Sequence, residues 1–130
     1  MSREIIIHSL EHARAALAIA ASLDAPLVLA SAAGAALQTG PLWFKSVIAQ
    51  ASAAHPDVAL TAVLDCGEAP GSVMAGLRAG LKHFRFSGRA DIRAKLAAMG
   101  AQFAEPPAAA LDLRDTREPE TAIRAFLARG

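Results

Sequence analysis

Several side chains capable of chemistry stand in short turns that follow apolar runs. Asp65, Cys66 and Glu68 lie in the sequence Leu-Asp-Cys-Gly-Glu, directly after such a run. An aspartate can act as a general base, and a cysteine thiolate is a nucleophile or a metal ligand. His8 follows three consecutive isoleucines, and it would activate Cys66 if the two side chains lie close together. These residue types are consistent with acid–base or thiol chemistry at a strand end.

Asp65 and Cys66 also have structural interpretations. Asp65 can accept backbone hydrogen bonds in its turn and near the next helix start. Cys66 can be a small buried thiol, which is the commoner role of a free cysteine. We favour the structural role for both residues. The four histidines show no close-spaced ligand pair on one helix face, so we expect neither a metal site nor a cofactor.

A second candidate site is the turn formed by Ser87, Gly88 and Arg89. Free amide groups at a helix start, together with the cations Arg89 and Arg93, can hold a phosphate or another anion. A solvated basic helix with ordinary capping is the alternative, and we favour it. Ser31 ends another predicted strand, and the small-residue loop after it can let a ligand approach the backbone. We favour a plain connection there.

The elements that position these residues follow from the apolar pattern. Strands are predicted at residues 4–8, 27–31, 58–64 and 83–87, with helices between them that begin near Ser9, Pro41, Pro70 and Ser87. A fifth strand lies at either 102–104 or 109–113. We prefer 109–113 because a helix follows it, starting near Pro119 and ending at Arg129 and Gly130. Trp43 is predicted to be a core anchor.

This alternation predicts a single α/β domain over residues 1–130, with a parallel sheet of about five strands and flanking helices. Ligands of such sheets bind beyond the carboxyl ends of the strands. The predicted functional rim therefore consists of His8, Ser31, Asp65, Cys66, Glu68, Ser87 and Arg114. Asp65 and Cys66 lead this set.

Three segments of the chain carry a family resemblance. They are EHARAALAIAASLDAPLVLAS at 11–31, GPLWFKSVIAQASAAHPDVALTAVLDCG at 40–67 and VMAGLRAGLKHFRFSG at 73–88. Their most specific parts are the Glu-x-Ala-Arg-Ala start, the Ala-Pro-Leu-Val-Leu strand and the Leu-Asp-Cys-Gly turn. Together they resemble the N-terminal half of class II ketose-bisphosphate aldolases, zinc enzymes that fold as (β/α)8 barrels.

The resemblance implies a role for Asp65 and a change at Cys66. The family's turn reads Leu-Asp-His-Gly, where the aspartate transfers protons to and from the substrate and the histidine binds zinc. Asp65 matches that aspartate, whereas Cys66 replaces the histidine. The family's remaining zinc ligands and phosphate-binding loops come from later strands, and 130 residues are too few for eight strands. We therefore expect half of a barrel or a flavodoxin-like open sheet.

This comparison predicts a degenerate aldolase-like protein that serves as a binding or interaction module. Half of a barrel exposes sheet edges, and a second copy of the chain would cover them, so a homo-oligomer is expected. The alternative is a lyase or isomerase acting on a small phosphorylated carbonyl compound. In that case Asp65 is the base, Ser87, Gly88 and Arg89 hold phosphate, and a second copy completes the site.

Composition excludes several other classes of function. The net charge is +1, which gives no field that favours nucleic acid or an anionic membrane. Residues are 54% hydrophobic and 19% charged, yet no apolar run reaches the length of a membrane span. The N-terminus lacks the order of a secretory signal, and one cysteine cannot form an intramolecular disulfide. We expect a cytoplasmic protein.

Overall fold

Strands and helices alternate along the chain, as the apolar pattern predicts. The computed structural model describes residues 3–129, so the predicted helix end at Gly130 lies outside the described residues, as do Met1 and Ser2 of the predicted domain. The elements are β1 (Arg3–Ile7), α1 (Leu10–Leu23), β2 (Leu27–Ser31), α2 (Ala35–Gln38), α3 (Pro41–Ala53), β3 (Leu60–Asp65), α4 (Pro70–Ala79), β4 (His83–Arg85), α5 (Ala90–Ala98), β5 (Gln102–Phe103), β6 (Ala109–Asp112) and α6 (Pro119–Ala128).

The strands form one open, all-parallel sheet in the order β5-β4-β3-β2-β1-β6, flanked by helices. The predicted α/β fold class is therefore confirmed. From β1 to β5 each strand lies beside the next one in sequence, and β6 returns to the free side of β1. Both candidates for the fifth strand are strands, so residues 3–129 contain six strands instead of about five.

Local sequence accounts for most element boundaries. Ser9 caps α1, and Pro70 and Pro119 occupy the first turns of α4 and α6, where a missing N–H costs nothing. Helix α3 differs from the prediction in its anchor residue. Phe44 is completely buried, whereas Trp43 is only half-buried. The buried face of α3 runs through Phe44, Val47 and Ala51, and Trp43 lies at its margin.

The chain divides into two compact units, and the predicted single-domain organisation stays a prediction. The first unit comprises residues 3–30, 47–62 and 107–129 of the described chain. Within it β1 pairs with β6, Ile5 lying opposite Leu111, and α1 packs against α6. Its core is aliphatic apart from one phenylalanine, and its buried members include Ile5, Ile7, Ala13, Ala16, Leu17, Ala20, Leu29, Leu113, Ile123 and Phe126.

The second unit comprises residues 31–46 and 63–106. Within it β4 lies between β3 and β5, and α4 packs against α5. Its buried side chains include Phe44, Val63, Leu64, Val73, Phe84, Phe86 and Leu96. Gly76 lets α4 approach the sheet closely, because a Cβ at that position would overlap the ring of Phe84. Among the helices of residues 3–129, none has the length and apolar character needed to cross a membrane.

Candidate functional site

Asp65 is the last residue of β3, and its carboxylate binds the backbone of two neighbouring loops. Oδ1 accepts a hydrogen bond from the Gly67 N–H at 3.0 Å and a longer one from the Gly34 N–H at 3.4 Å. The backbone N–H of Asp65 donates to Ser31 Oγ at 2.9 Å. The structure therefore brings Ser31 and Asp65 together, and these bonds tie the loop after β2 to the turn after β3.

The two glycines in this arrangement are required by backbone conformation. Gly34 has φ +71° and Gly67 has φ +56°, both in the left-handed region that favours glycine. The bond from the Gly67 N–H to the Asp65 side chain is an Asx turn, in which a carboxylate replaces a backbone carbonyl. Asp65 thus performs the structural role that the sequence favoured, as a hydrogen-bond acceptor that shapes its own turn.

Cys66 points into the protein and has no exposed surface. Its Sγ lies 3.7 Å from the carbonyl oxygen of Leu64, to which the thiol donates. Burial, and secondarily the charge of Asp65, raises the pKa of the Cys66 thiol to about 12. Because nucleophilic attack and zinc binding both use the thiolate, a thiol that stays protonated at neutral pH suits neither. Cys66 has the environment of a structural core residue.

The turn before α5 is held by a backbone hydrogen bond to a neighbouring turn and by close packing. The Ser87 N–H donates to the Gly67 carbonyl oxygen at 2.8 Å, which joins this turn to the one after β3. A Cβ at Gly88 would overlap the ring of Phe86. Glycine is therefore required there by an aromatic side chain of the same unit. Glu68, the remaining candidate in the neighbouring turn, is exposed.

The two cations near this turn already have partners within the chain. Arg89 forms two hydrogen bonds with Asp91, at 3.1 and 2.8 Å, on an exposed surface. Arg93 donates to the Phe86 carbonyl oxygen at 3.2 Å and reaches Glu105 at 3.4 Å. An anion at this turn would compete with these carboxylates, so the arrangement favours a solvated basic helix over phosphate binding. The N-cap residue of α5, Arg89, makes no side-chain capping bond.

His8 lies in the first unit, directly after β1, where it pairs with Asp112, a residue outside the predicted functional rim. Its Nε2 is 2.6 Å from Asp112 Oδ1, and that same oxygen accepts from the Arg114 N–H at 2.9 Å. Partial burial opposes ionisation of Asp112, but the hydrogen bonds from Arg114 and His8 outweigh it and lower the pKa of Asp112. The pair joins the carboxyl ends of β1 and β6.

His12 lies in the first turn of α1, and its ring is next to that of His8, which precedes the helix. The two rings meet edge to face with centroids 5.9 Å apart, and His12 Nδ1 accepts from the His8 backbone N–H at 3.0 Å. Burial, and then the neighbouring His8, lowers the pKa of His12 against the opposing effects of Glu11 and Asp112. His12 also borders an open cleft of about 370 Å³ that Glu118 and Glu120 line from the start of α6.

The sequence analysis selected His8 and Arg114 but missed Asp112, whose carboxylate binds both. Asp112 lies near the end of a predicted strand, so the strand-end rule could have selected it. His8 and Asp112 are 104 positions apart, however, and their contact depends on β6 returning to β1. Arg114 contributes a backbone N–H to this cluster.

Possible metal donors are dispersed in the part of the chain that the structure describes. No group of three or more histidine, cysteine, aspartate or glutamate side chains there is arranged to hold a metal ion. The chain matches no protein-family model, and it has no significant match among curated proteins. The site geometry and the resemblance in the Leu-Asp-Cys-Gly turn are therefore the grounds for a functional proposal.

Proposed function

We propose that this chain is a catalytically degenerate relative of the class II ketose-bisphosphate aldolases and acts as a binding or interaction module. The observation that carries the proposal is the use of Asp65 Oδ1 as an internal acceptor for two backbone N–H groups. The residue beside it, Cys66, is buried with a raised pKa. The groups that would perform chemistry at this turn thus stabilise the fold instead.

The proposed partner is a second copy of the chain. Leu37 in α2 and Leu42 in the first turn of α3 are 72% and 71% exposed, and both belong to the second unit. Exposed leucines so close in sequence favour a protein contact over contact with water. Strands β5 and β6 are the edges of the sheet, where unpaired backbone groups also favour association. Closed symmetric homodimers are the commonest oligomers.

Light scattering coupled to size exclusion tests the proposed assembly on the full chain. We expect a dimer or larger oligomer at micromolar concentration, and a monomer for the double variant Leu37→Asp, Leu42→Asp. Met99→Asp is the matched control, because Met99 is another exposed apolar residue, 54% exposed, at the end of α5. A wild-type chain that is strictly monomeric, or a control that dissociates equally, contradicts the proposal.

A lyase or isomerase acting on a small phosphorylated carbonyl compound is the second candidate. Both hydrogen bonds that the described chain makes to the Asp65 carboxylate end on Oδ1, which leaves Oδ2 to accept a substrate proton. Assays on ketose phosphates, accompanied by metal analysis, test this candidate. Asp65→Asn keeps an acceptor oxygen for the turn but removes the base, so any activity must disappear. Activity that survives Asp65→Asn refutes the lyase or isomerase candidate. The cytoplasmic location, the lack of a cofactor and the phosphorylated ligand stay predictions.

A further inference from the structure

At the start of α1, His12 makes one hydrogen bond with Ser9 and a second one with His8. Ser9 is the N-cap residue, with extended backbone, and its Oγ accepts from the His12 N–H at 3.1 Å. In return the His12 side chain reaches back and accepts the His8 N–H on Nδ1 at 3.0 Å. This arrangement is a variant of the capping box, in which a glutamate or glutamine three residues after the cap normally accepts the N–H of the cap residue. Here the N–H that is accepted belongs to His8, the residue before the cap.

Histidine changes the chemistry of this box, because its acceptor atom can be protonated near neutral pH. With Nδ1 accepting the His8 N–H, neutral His12 carries its proton on Nε2. A second proton must bind Nδ1, where it would face the His8 N–H and remove the acceptor. A glutamate would remain an acceptor down to about pH 4, and a glutamine at any pH.

Charged and titratable groups face His12 from the ends of β1 and β6, from α1 and from the start of α6. The ring of His8 lies at the end of β1, Glu11 precedes His12 on α1, and Asp112 lies on β6. Glu118, the N-cap residue of α6, and Glu120, in the first turn of that helix, line the same cleft as His12. Glu11 and Asp112 favour the imidazolium, whereas burial and His8 oppose it, and the pKa of His12 is lowered overall.

We propose that Ser9 and His12 form a pH-sensitive latch, which holds the β1–α1 junction closed while His12 is neutral and releases the His8 N–H when His12 is protonated. The latch is independent of the proposed function. Since the pKa of folded His12 lies below the ordinary value of 6.5, the stabilisation is present above pH 6.5. It is lost as the pH falls from there through the folded value. Asp112 stays ionised throughout this range.

Amide hydrogen exchange followed by NMR on the full chain tests the latch between about pH 8 and pH 5. After correction for intrinsic exchange, we expect the His8 and His12 amides of the wild type to open about fivefold more often at the acidic end, the usual effect of losing a cap. His12→Gln retains an acceptor without a titration, so its protection must not change with pH. His12→Ala must be open at both ends. His55→Gln, which replaces a histidine outside the box in the same unit, must behave as the wild type.

Three results would overturn the latch. The first is wild-type protection at His8 that does not change with pH. The second is a pH dependence that persists in His12→Gln. The third uses the wild type alone, so it stands even if a variant fails to fold: nitrogen chemical shifts that place the neutral proton of His12 on Nδ1 would exclude the hydrogen bond on which the latch depends.

Discussion

Replacing Asp65 by alanine tests whether this aspartate has a structural or a catalytic role. If the carboxylate serves as an acceptor for the Gly34 and Gly67 N–H groups, its removal leaves both donors without their partner and loosens two loops. Residues retained for catalysis commonly cost stability instead, so their removal is neutral or stabilising. The sign of the change in the free energy of unfolding therefore reports the role of Asp65.

The geometry of the two bonds sets the expected magnitude. The 3.0 Å bond from the Gly67 N–H has normal length, whereas the 3.4 Å bond from the Gly34 N–H is long and contributes less. A hydrogen bond to a charged group is worth about 1.5–3 kcal/mol, and partial exposure of the carboxylate reduces this value. We expect Asp65→Ala to lower the free energy of unfolding by about 2 kcal/mol. Asp65→Asn keeps one acceptor oxygen and should lose under about 1 kcal/mol.

Urea unfolding measures both variants. Fluorescence of Trp43, the one tryptophan in the chain, reports on the second unit, and circular dichroism reports on the helices. A loss of about 2 kcal/mol corresponds to a fall of roughly 8 °C in Tm for a chain of this size. The reasoning is refuted if Asp65→Ala is as stable as the wild type, or if Asp65→Asn is destabilised as strongly as Asp65→Ala.

Three further predictions concern packing, thiol reactivity and acid stability. Gly88→Ala should destabilise by about 1–3 kcal/mol through overlap with Phe86, whereas Gly71→Ala, with open space around it, should be neutral or stabilising by about 0.5 kcal/mol in the same urea titration. Cys66 should react with iodoacetamide far more slowly in the native protein than in urea, and equal rates would contradict its burial and raised pKa. Asp112 has a pKa below its ordinary 3.8, so its stabilisation is present above that pH and lost as the pH falls through the folded value. Asp112→Asn should therefore flatten the acid limb of a plot of Tm against pH. An unchanged acid limb would contradict a stabilising role of the His8–Asp112 pair.

The sequence predicts the elements well where local signals are strong. Residues 27–31 form β2 at the predicted boundaries, and Pro70 and Pro119 begin the helices that they were expected to begin. Prediction is weaker for short edge strands. Gln102 and Phe103 form β5 only through pairing with His83 and Phe84, so their strand character depends on a neighbour that is distant in sequence.

What the sequence determined by itself is the alternation of strands and helices, and therefore the parallel sheet and the strand ends on which Ser31, Asp65 and His8 stand. Apolar periodicity, proline and glycine encode these features locally. Only the tertiary structure decided what the residues do there: Asp65 accepts N–H groups from two loops, Cys66 is buried, and His8 binds Asp112. Such contacts join residues as much as 104 positions apart. They follow from strand order and register, which no local pattern specifies.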